Sequence, residues 1–450
     1  MKDRVTPLLE LCFNHLRDST SQNLEKNEVY AKLFPGQEFL EGKLEKVMVE
    51  AHKIVRAFLL VQHYFREEND FQQGFDFSKV VHKRGLTSRY QQLMTKLHNT
   101  QESVLLRNST YVYHQFLLEY AEFEEASVRN QAKGDLNIPK TIQALELYSY
   151  YNRLELLNQL LLQQKITRFE VPDTIKILID NNSIPAYYLD LSPPVKVNFE
   201  IFKVLKKKYP EPFDVHSLFD LLLFYEKDLD SNLLRDFYGY LRNICVLTVW
   251  ADYAQVEMEL VLHELHKDNL KRGFLHYEGK INRSKYWMVS HTAMKVNDFA
   301  WALEFIEKFK HEIRDENESK DLYRLNLANY LFRVGRFSEC LDNIPASTPF
   351  VDYLLQGKRL ELKALYELRS DLLTYKLDAF KMFLSRTSKK LLSENQKQIH
   401  SDFANLLHQL IHSLPGDTKR SELLVKRILE KKQSAEWPWL LEKAKDLKGN

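Results

Sequence analysis

Apolar residues recur three and four positions apart over most of the chain, a spacing that predicts helices almost throughout. The first runs from Val5 to about residue 18, with Leu8, Leu9, Cys12 and Phe13 on one side. A second ends at Phe34-Pro35-Gly36, because proline cannot continue a helix and glycine accepts the positive φ of a cap. A long amphipathic helix is expected from about Glu38 to Phe65, placing Leu44, Val47, Met48, Ala51, Ile54, Val55, Phe58 and Leu59 on one face. Breaks follow at Gly74, Gly85 and Asn99, then paired helices over 111–127 and 142–164. Pro193-Pro194 and Tyr209-Pro210-Glu211-Pro212 interrupt the pattern and mark a bend or weak boundary. Two or three helices are expected between Asp214 and His266, with Asp228 to Asn232 as a polar turn.

In the C-terminal half the helical pattern itself repeats. The segments Asn297-Asp298-Phe299, Gly335-Arg336-Phe337 and Ser370-Asp371-Leu372 each open a second helix, and Phe299, Phe337 and Leu372 stand 38 and 35 residues apart. A period of that length signals stacked helical hairpins. The reading is an all-α chain: an α-solenoid of stacked hairpins, with an irregular helical region over 1–195, connecting hairpins over 196–280, repeats over 281–390 and capping helices over 391–450. The caps comprise a helix from Leu391 to Leu414, a stop at Pro415-Gly416-Asp417, a charged helix from Lys419 to Lys432 and a short one around Trp437 to Leu447.

Composition supports the helical reading, since 12 glycines and 13 prolines in 450 residues leave few tight turns. A formal net charge of +2 gives no global field for holding a polynucleotide or an anionic membrane. Cys12, Cys245 and Cys340 are odd in number and sit in apolar helical patterns, which fits a reducing compartment. No secretory signal opens the chain and no apolar run approaches the roughly 20 residues of a membrane span. A cytoplasmic protein is expected.

The span Tyr286 to Met382 resembles tetratricopeptide repeats. The middle unit offers Leu327-Ala328, Leu331, Gly335, Phe337 and Cys340, and the first offers Tyr286, Val289-Ser290, Ala293, Asn297, Phe299 and Ala302. Small residues let helices approach closely while the phenylalanines fill space between hairpins. The third unit departs, with Lys363 and Tyr375 at positions where small residues are expected, and Pro345 shortens the middle unit. The start of the chain, with its Leu33-Phe34-Pro35-Gly36 stop, also resembles helical proteins of bacteria, a likeness that implies no activity. The repeat resemblance implies a ligand groove lined by first helices, where the corresponding positions are Trp287, His291, Lys295, Leu325, Asn329, Phe332 and Arg333. Trp287 and Leu325 stand where a carboxylate clamp would need Lys and Asn, so that device is not reproduced.

Chemistry-bearing motifs are otherwise sparse. No two glycines lie closer than six residues, which excludes the familiar phosphate-cradling loops. His400, His408 and His412 fall near one helical face and form the best metal-like set, followed by His263-Glu264-Leu265-His266, but solvent-facing pairs explain both. No nucleophile elbow occurs. Lys203, Lys206, Lys207 and Lys208 beside Tyr209, and Lys389-Lys390, are the basic stretches that a nucleic-acid partner would use. The resulting expectation is a non-catalytic scaffold or adaptor that binds a protein or peptide, without cofactor or metal. The alternatives are a nucleic-acid-associated repeat protein and an enzyme whose residues converge only in space.

Overall fold

The computed structural model describes residues 2–17, 25–129, 136–167, 169–250, 255–314, 316–346, 348, 350–388 and 390–448. It is all-α, and the described residues divide into two compact units: Met1–Gln159 with Val171–Phe199 and Lys227–Asp230, and Leu160–Glu170 with Glu200–Glu226 and Ser231–Asn450. No helix among the described residues is long and apolar enough to cross a membrane.

The first unit begins with α1 (Val5–Arg17), α2 (Lys26–Leu33) and α3 (Lys43–Tyr64). The long helix starts later than the hydrophobic pattern suggests because Gly42 takes a left-handed φ of 80° at the N-cap, ending any helical run from Glu38. Val5, Leu8, Tyr30, Leu33, Leu44, Val47 and Ala51 form the core of these three helices. The stripe that α3 buries over Leu44, Val47 and Ala51 continues toward its C-terminus, but there Ile54, Phe58, Val61 and Phe65 are exposed. Helices α4 (Asp70–Lys83), α5 (Thr87–Glu102) and α6 (Ser109–Arg129) share a second core around Phe75, Tyr90, Met94 and Leu118. The boundary between the units falls inside α7 (Ile138–Thr167), and after α8 (Asp173–Asp180) and α9 (Ala186–Leu191) it falls again inside α10 (Pro193–Lys206). Pro193 opens α10 rather than interrupting it, since the first helical position needs no N–H donor. Within the unit, the buried Asn158 amide donates to the backbone oxygen and Oδ1 of Asn198 at 2.9 and 3.0 Å.

The second unit continues with α11 (Pro212–Tyr225), α12 (Ser231–Trp250) and α13 (Gln255–Lys271). Asp214 caps the start of α11, accepting from the Glu211 N–H at 2.9 Å. A two-residue β-hairpin follows, which the helical periodicity does not anticipate: β1 (His276–Tyr277) pairs antiparallel with β2 (Lys280–Ile281). Glu278 and Gly279 both take positive φ, at 51° and 73°, as a tight hairpin turn requires. Ile281 also bonds across to 312–314, through Ile281 N–H to Glu312 O at 2.7 Å and Arg314 N–H to Ile281 O at 3.0 Å.

Then come α14 (Arg283–Lys295), α15 (Phe299–Lys308), α16 (Glu316–Arg333), α17 (Phe337–Asn343), α18 (Val351–Glu367) and α19 (Leu373–Arg386). Each packs on the next in sequence, and α14 also packs on α16 and α16 on α18. Asn297 and Gly335 take the positive φ of the turns they were expected to form, at 62° and 80°. The chain closes with α20 (Glu394–Ile411), α21 (Thr418–Glu430) and α22 (Trp437–Asp446), whose Leu407, Leu424, Ile428 and Leu440 share one core with Leu377 and Phe380 of α19.

Candidate functional site

The site grows out of the way α14 divides its faces. Asn282 caps the helix, its side-chain oxygen accepting from the Lys285 N–H at 2.9 Å. One side carries Tyr286, Val289, Ser290, Ala293 and Met294 into the core, where the Tyr286 hydroxyl donates to Ile306 O and the Ser290 hydroxyl to Asn326 Oδ1, both at 2.7 Å. With that face fixed, positions four apart, Arg283, Trp287, His291 and Lys295, line up along another side. They form one wall of a cavity of about 580 Å³. The other walls come from Val246 and Val249 of α12, Glu259 and Leu262 of α13, Phe350 just before α18, and Tyr353, Gln356 and Arg359 on the first half of α18. This volume lies within the few-hundred to thousand Å³ range of ligand sites, and the lining has their usual character of apolar and aromatic surface with a few placed polar groups.

Some of those polar groups are committed within the fold, whereas Trp287 Nε1 and His291 Nδ1 are buried without a hydrogen-bond partner among the described residues. Lys295 Nζ pairs with Glu259 Oε1 at 2.8 Å, and the Arg283 guanidinium lies 3.5 Å from the Phe350 ring centre. The His291 ring stacks on Trp287 with centroids 4.5 Å apart. Burial, reinforced by the charges of Lys295, Arg333 and Lys363 against that of Glu436, pushes the His291 pKa down to about 3, so the ring is neutral at ordinary pH.

Arg359 leads from the cavity to an ion cluster. Its Nε is 3.2 Å from Glu436 Oε1 and its Nη1 is 3.3 Å from His400 Nδ1, while Lys363 Nζ reaches Glu436 Oε2 at 2.7 Å and lies 4.6 Å from the Phe332 ring centre. Burial alone would raise the Glu436 pKa, yet the two cations hold it well below the usual carboxylate range. Burial and the adjacent Arg359 push His400 down to about 4. Glu436 is the residue before α22 and takes a left-handed φ of 56°, a conformation uncommon outside glycine.

Of the seven residues expected in the groove, Trp287, His291 and Lys295 line this cavity. Arg333 is exposed at the end of α16. Leu325 is buried, 2% exposed, with Cδ1 at 3.8 Å from where a Cβ on Gly357 would stand. Asn329 spends an amide proton on Leu325 O at 2.9 Å within its own helix, and Phe332 packs beside Phe337 against the Ala328, Leu331 and Cys340 cluster. Sequence reasoning missed Arg283, Phe350, Tyr353, Arg359 and Glu436. For Arg283 the signal was present, since it precedes Trp287 by one turn.

The histidine sets resolve separately. His400 faces Arg359, whereas the rings of His408 and His412 stack on each other with centroids 4.3 Å apart. His263 Nε2 lies 3.0 Å from Asp298 Oδ2, the carboxylate that caps α15. Asp298 is held down to about 2 by His263 and Lys267. His266 is fully buried and pushed down to about 3 by burial and by Arg242 nearby. Among the described residues no three His, Cys, Asp or Glu side chains come together as a metal site would need. Burial pushes the Cys245 and Cys340 thiols up to about 12, which keeps them protonated and poor nucleophiles. No protein-family model, curated protein or solved structure matches the chain.

Proposed function

We propose that this chain is a non-catalytic scaffold that binds a protein or peptide through the cavity between α12, α13, α14 and α18. The observation that carries the reading is the lining itself: Trp287, Phe350 and Tyr353 supply aromatic anchors beside the guanidinium groups of Arg283 and Arg359, the residue types that dominate binding hot spots. The packing of α14 on α16 and of α16 on α18, with α15, α17 and α19 between them in sequence, is what stacked tetratricopeptide-like hairpins require, and it supports the solenoid reading.

A nucleic-acid partner is less well supported. In the basic run before Tyr209, Lys207 Nζ sits 2.7 Å from Asp214 Oδ1 and Lys203 is paired with Glu200, so much of its charge is spent within the fold. Lys389 lies outside the described residues. The test is site-specific photo-crosslinking. A photoreactive phenylalanine analogue at position 353 is expected to trap a protein partner in cells, and Trp287→Ala with Arg283→Ala is expected to abolish the trapped band while helicity is unchanged. Trapping that survives the double substitution, or polynucleotide binding that weakens steeply with salt, would remove the cavity from this role.

A further inference from the structure

Helix α3 and Phe65, the residue that caps its C-terminal end, carry an apolar seam with alternating spacings of three and four: Leu44, Val47, Ala51, Ile54, Phe58, Val61 and Phe65. That is the heptad pattern by which two helices pack along their length. The seam is covered at one end only. Leu44, Val47 and Ala51 are at most 5% exposed against α1 and α2, whereas Ile54, Phe58, Val61 and Phe65 are 53%, 62%, 56% and 68% exposed. All twelve residues from 52 to 63 are exposed. A helix whose apolar stripe runs on beyond its cover belongs against another surface.

Three features of the seam select the occupant. Its flanking positions, Val55 and Gln62 on one side and Ala57 and Tyr64 on the other, carry no charge, while Lys53, Arg56 and His63 lie away from it. A partner chosen by charge, such as an acidic groove, would need its counter-charges beside the apolar contact. The uncovered seam is also self-complementary: antiparallel, Ile54 of one copy meets Phe65 of the other and Phe58 meets Val61, four layers about a twofold axis. Taking roughly 200 Å² for a fully exposed large side chain, the four seam residues offer on the order of 500 Å² per copy before their flanks are counted, so the pair buries about 1,000 Å², the size at which a specific interface begins. We propose that the uncovered half of α3 is a homodimer interface, two copies of this chain pairing antiparallel through Ile54, Phe58, Val61 and Phe65.

Light scattering on the full-length chain at micromolar concentration tests this. The expected mass is twice 53.5 kDa for the native sequence and for Leu60→Lys, which changes an exposed apolar residue off the seam. Phe58→Lys, at a site already exposed and so harmless to the fold, is expected to give the single-chain mass with an unchanged circular dichroism spectrum. A Cys12→Ser, Ile54→Cys chain mixed with a Cys12→Ser, Phe65→Cys chain should cross-link one to the other on oxidation, whereas a parallel pair would instead cross-link each chain to its own kind. A native chain that stays monomeric, or binds phosphatidylserine vesicles as a monomer, would overturn the proposal. So would loss of the dimer in Leu60→Lys to the same extent as in Phe58→Lys.

Discussion

Helices α3 and α14 look alike as sequences and differ as structures. Both show apolar residues at helical spacing, but α14 buries its stripe along its whole length, with Tyr286, Val289, Ser290 and Ala293 fully enclosed, while α3 buries its stripe only over its first turns. The contrast teaches that periodicity fixes which side of a helix is apolar, whereas cover depends on neighbours far away in the chain. For α14 those neighbours arrive in sequence, as α15 and α16; for α3 the neighbours α1 and α2 are too short to reach its end.

The sharpest way to break the contrast is through the enclosed side. Phe305 on α15 packs against Tyr286 with ring centroids 5.3 Å apart and is 2% exposed, so Phe305→Ala should cost about 3–5 kcal/mol and lower the denaturant midpoint accordingly. A loss under about 1 kcal/mol would mean that α14 and α15 do not enclose one another as described.

Next in size is the ion cluster. Glu436→Gln leaves Arg359 and Lys363 without their shared counter-charge and is expected to cost roughly 2–3 kcal/mol at neutral pH. The sign with pH follows from the depressed folded pKa: the carboxylate's contribution is complete above its ordinary 4.5 and is lost as pH falls below that toward the folded value. The gap between native and variant chains should therefore narrow from pH 5 downward, toward about pH 3. A gap that widens with acid would contradict the pairing.

The neutral histidines act in the same pH region by a different route. With His291 at about 3 in the fold against 6.5 ordinarily, the unfolded chain binds the extra proton, so stability falls as pH drops below 6.5 and stops falling only near the folded value. Each such group adds a slope of up to about 1.4 kcal/mol per pH unit. His291→Phe should remove one such increment from the stability profile between pH 6 and about 4; an unaltered slope would place the ring in water. The smallest effect belongs to the open side of α3: Leu60→Ala, 57% exposed and off the seam, should stay within about 0.5 kcal/mol of the native chain.

Much of the fold was legible because helices announce themselves locally. The stops at Phe34-Pro35-Gly36 and Pro415-Gly416-Asp417 end or separate helices where expected, and Asn297 and Gly335 make the turns their residue types allow. The β-hairpin was missed because four residues carry too little alternation to compete with the helical period around them, although Glu278-Gly279 is a turn signal in hindsight. The cavity was half legible. Trp287, His291 and Lys295 share a helix, and their spacing is enough to group them, whereas Phe350, Arg359 and Glu436 join them only through packing between helices distant in sequence. Leu325 and Phe332 show the converse: at positions where the repeat resemblance implied a groove, Leu325 is buried beside Gly357 and Phe332 is half-buried under Lys363.

One guanidinium, that of Arg359, borders the cavity and also grips the residue just before the last helix. In the proposed role, a guest that competes for this guanidinium would weaken its hold on Glu436, and a firmer hold would restrain it from that guest. Because linkage is reciprocal, such a guest would tie seating of the last helix to occupancy of the cavity, and on the proposed reading trimming the C-terminus would alter affinity at a place it never touches.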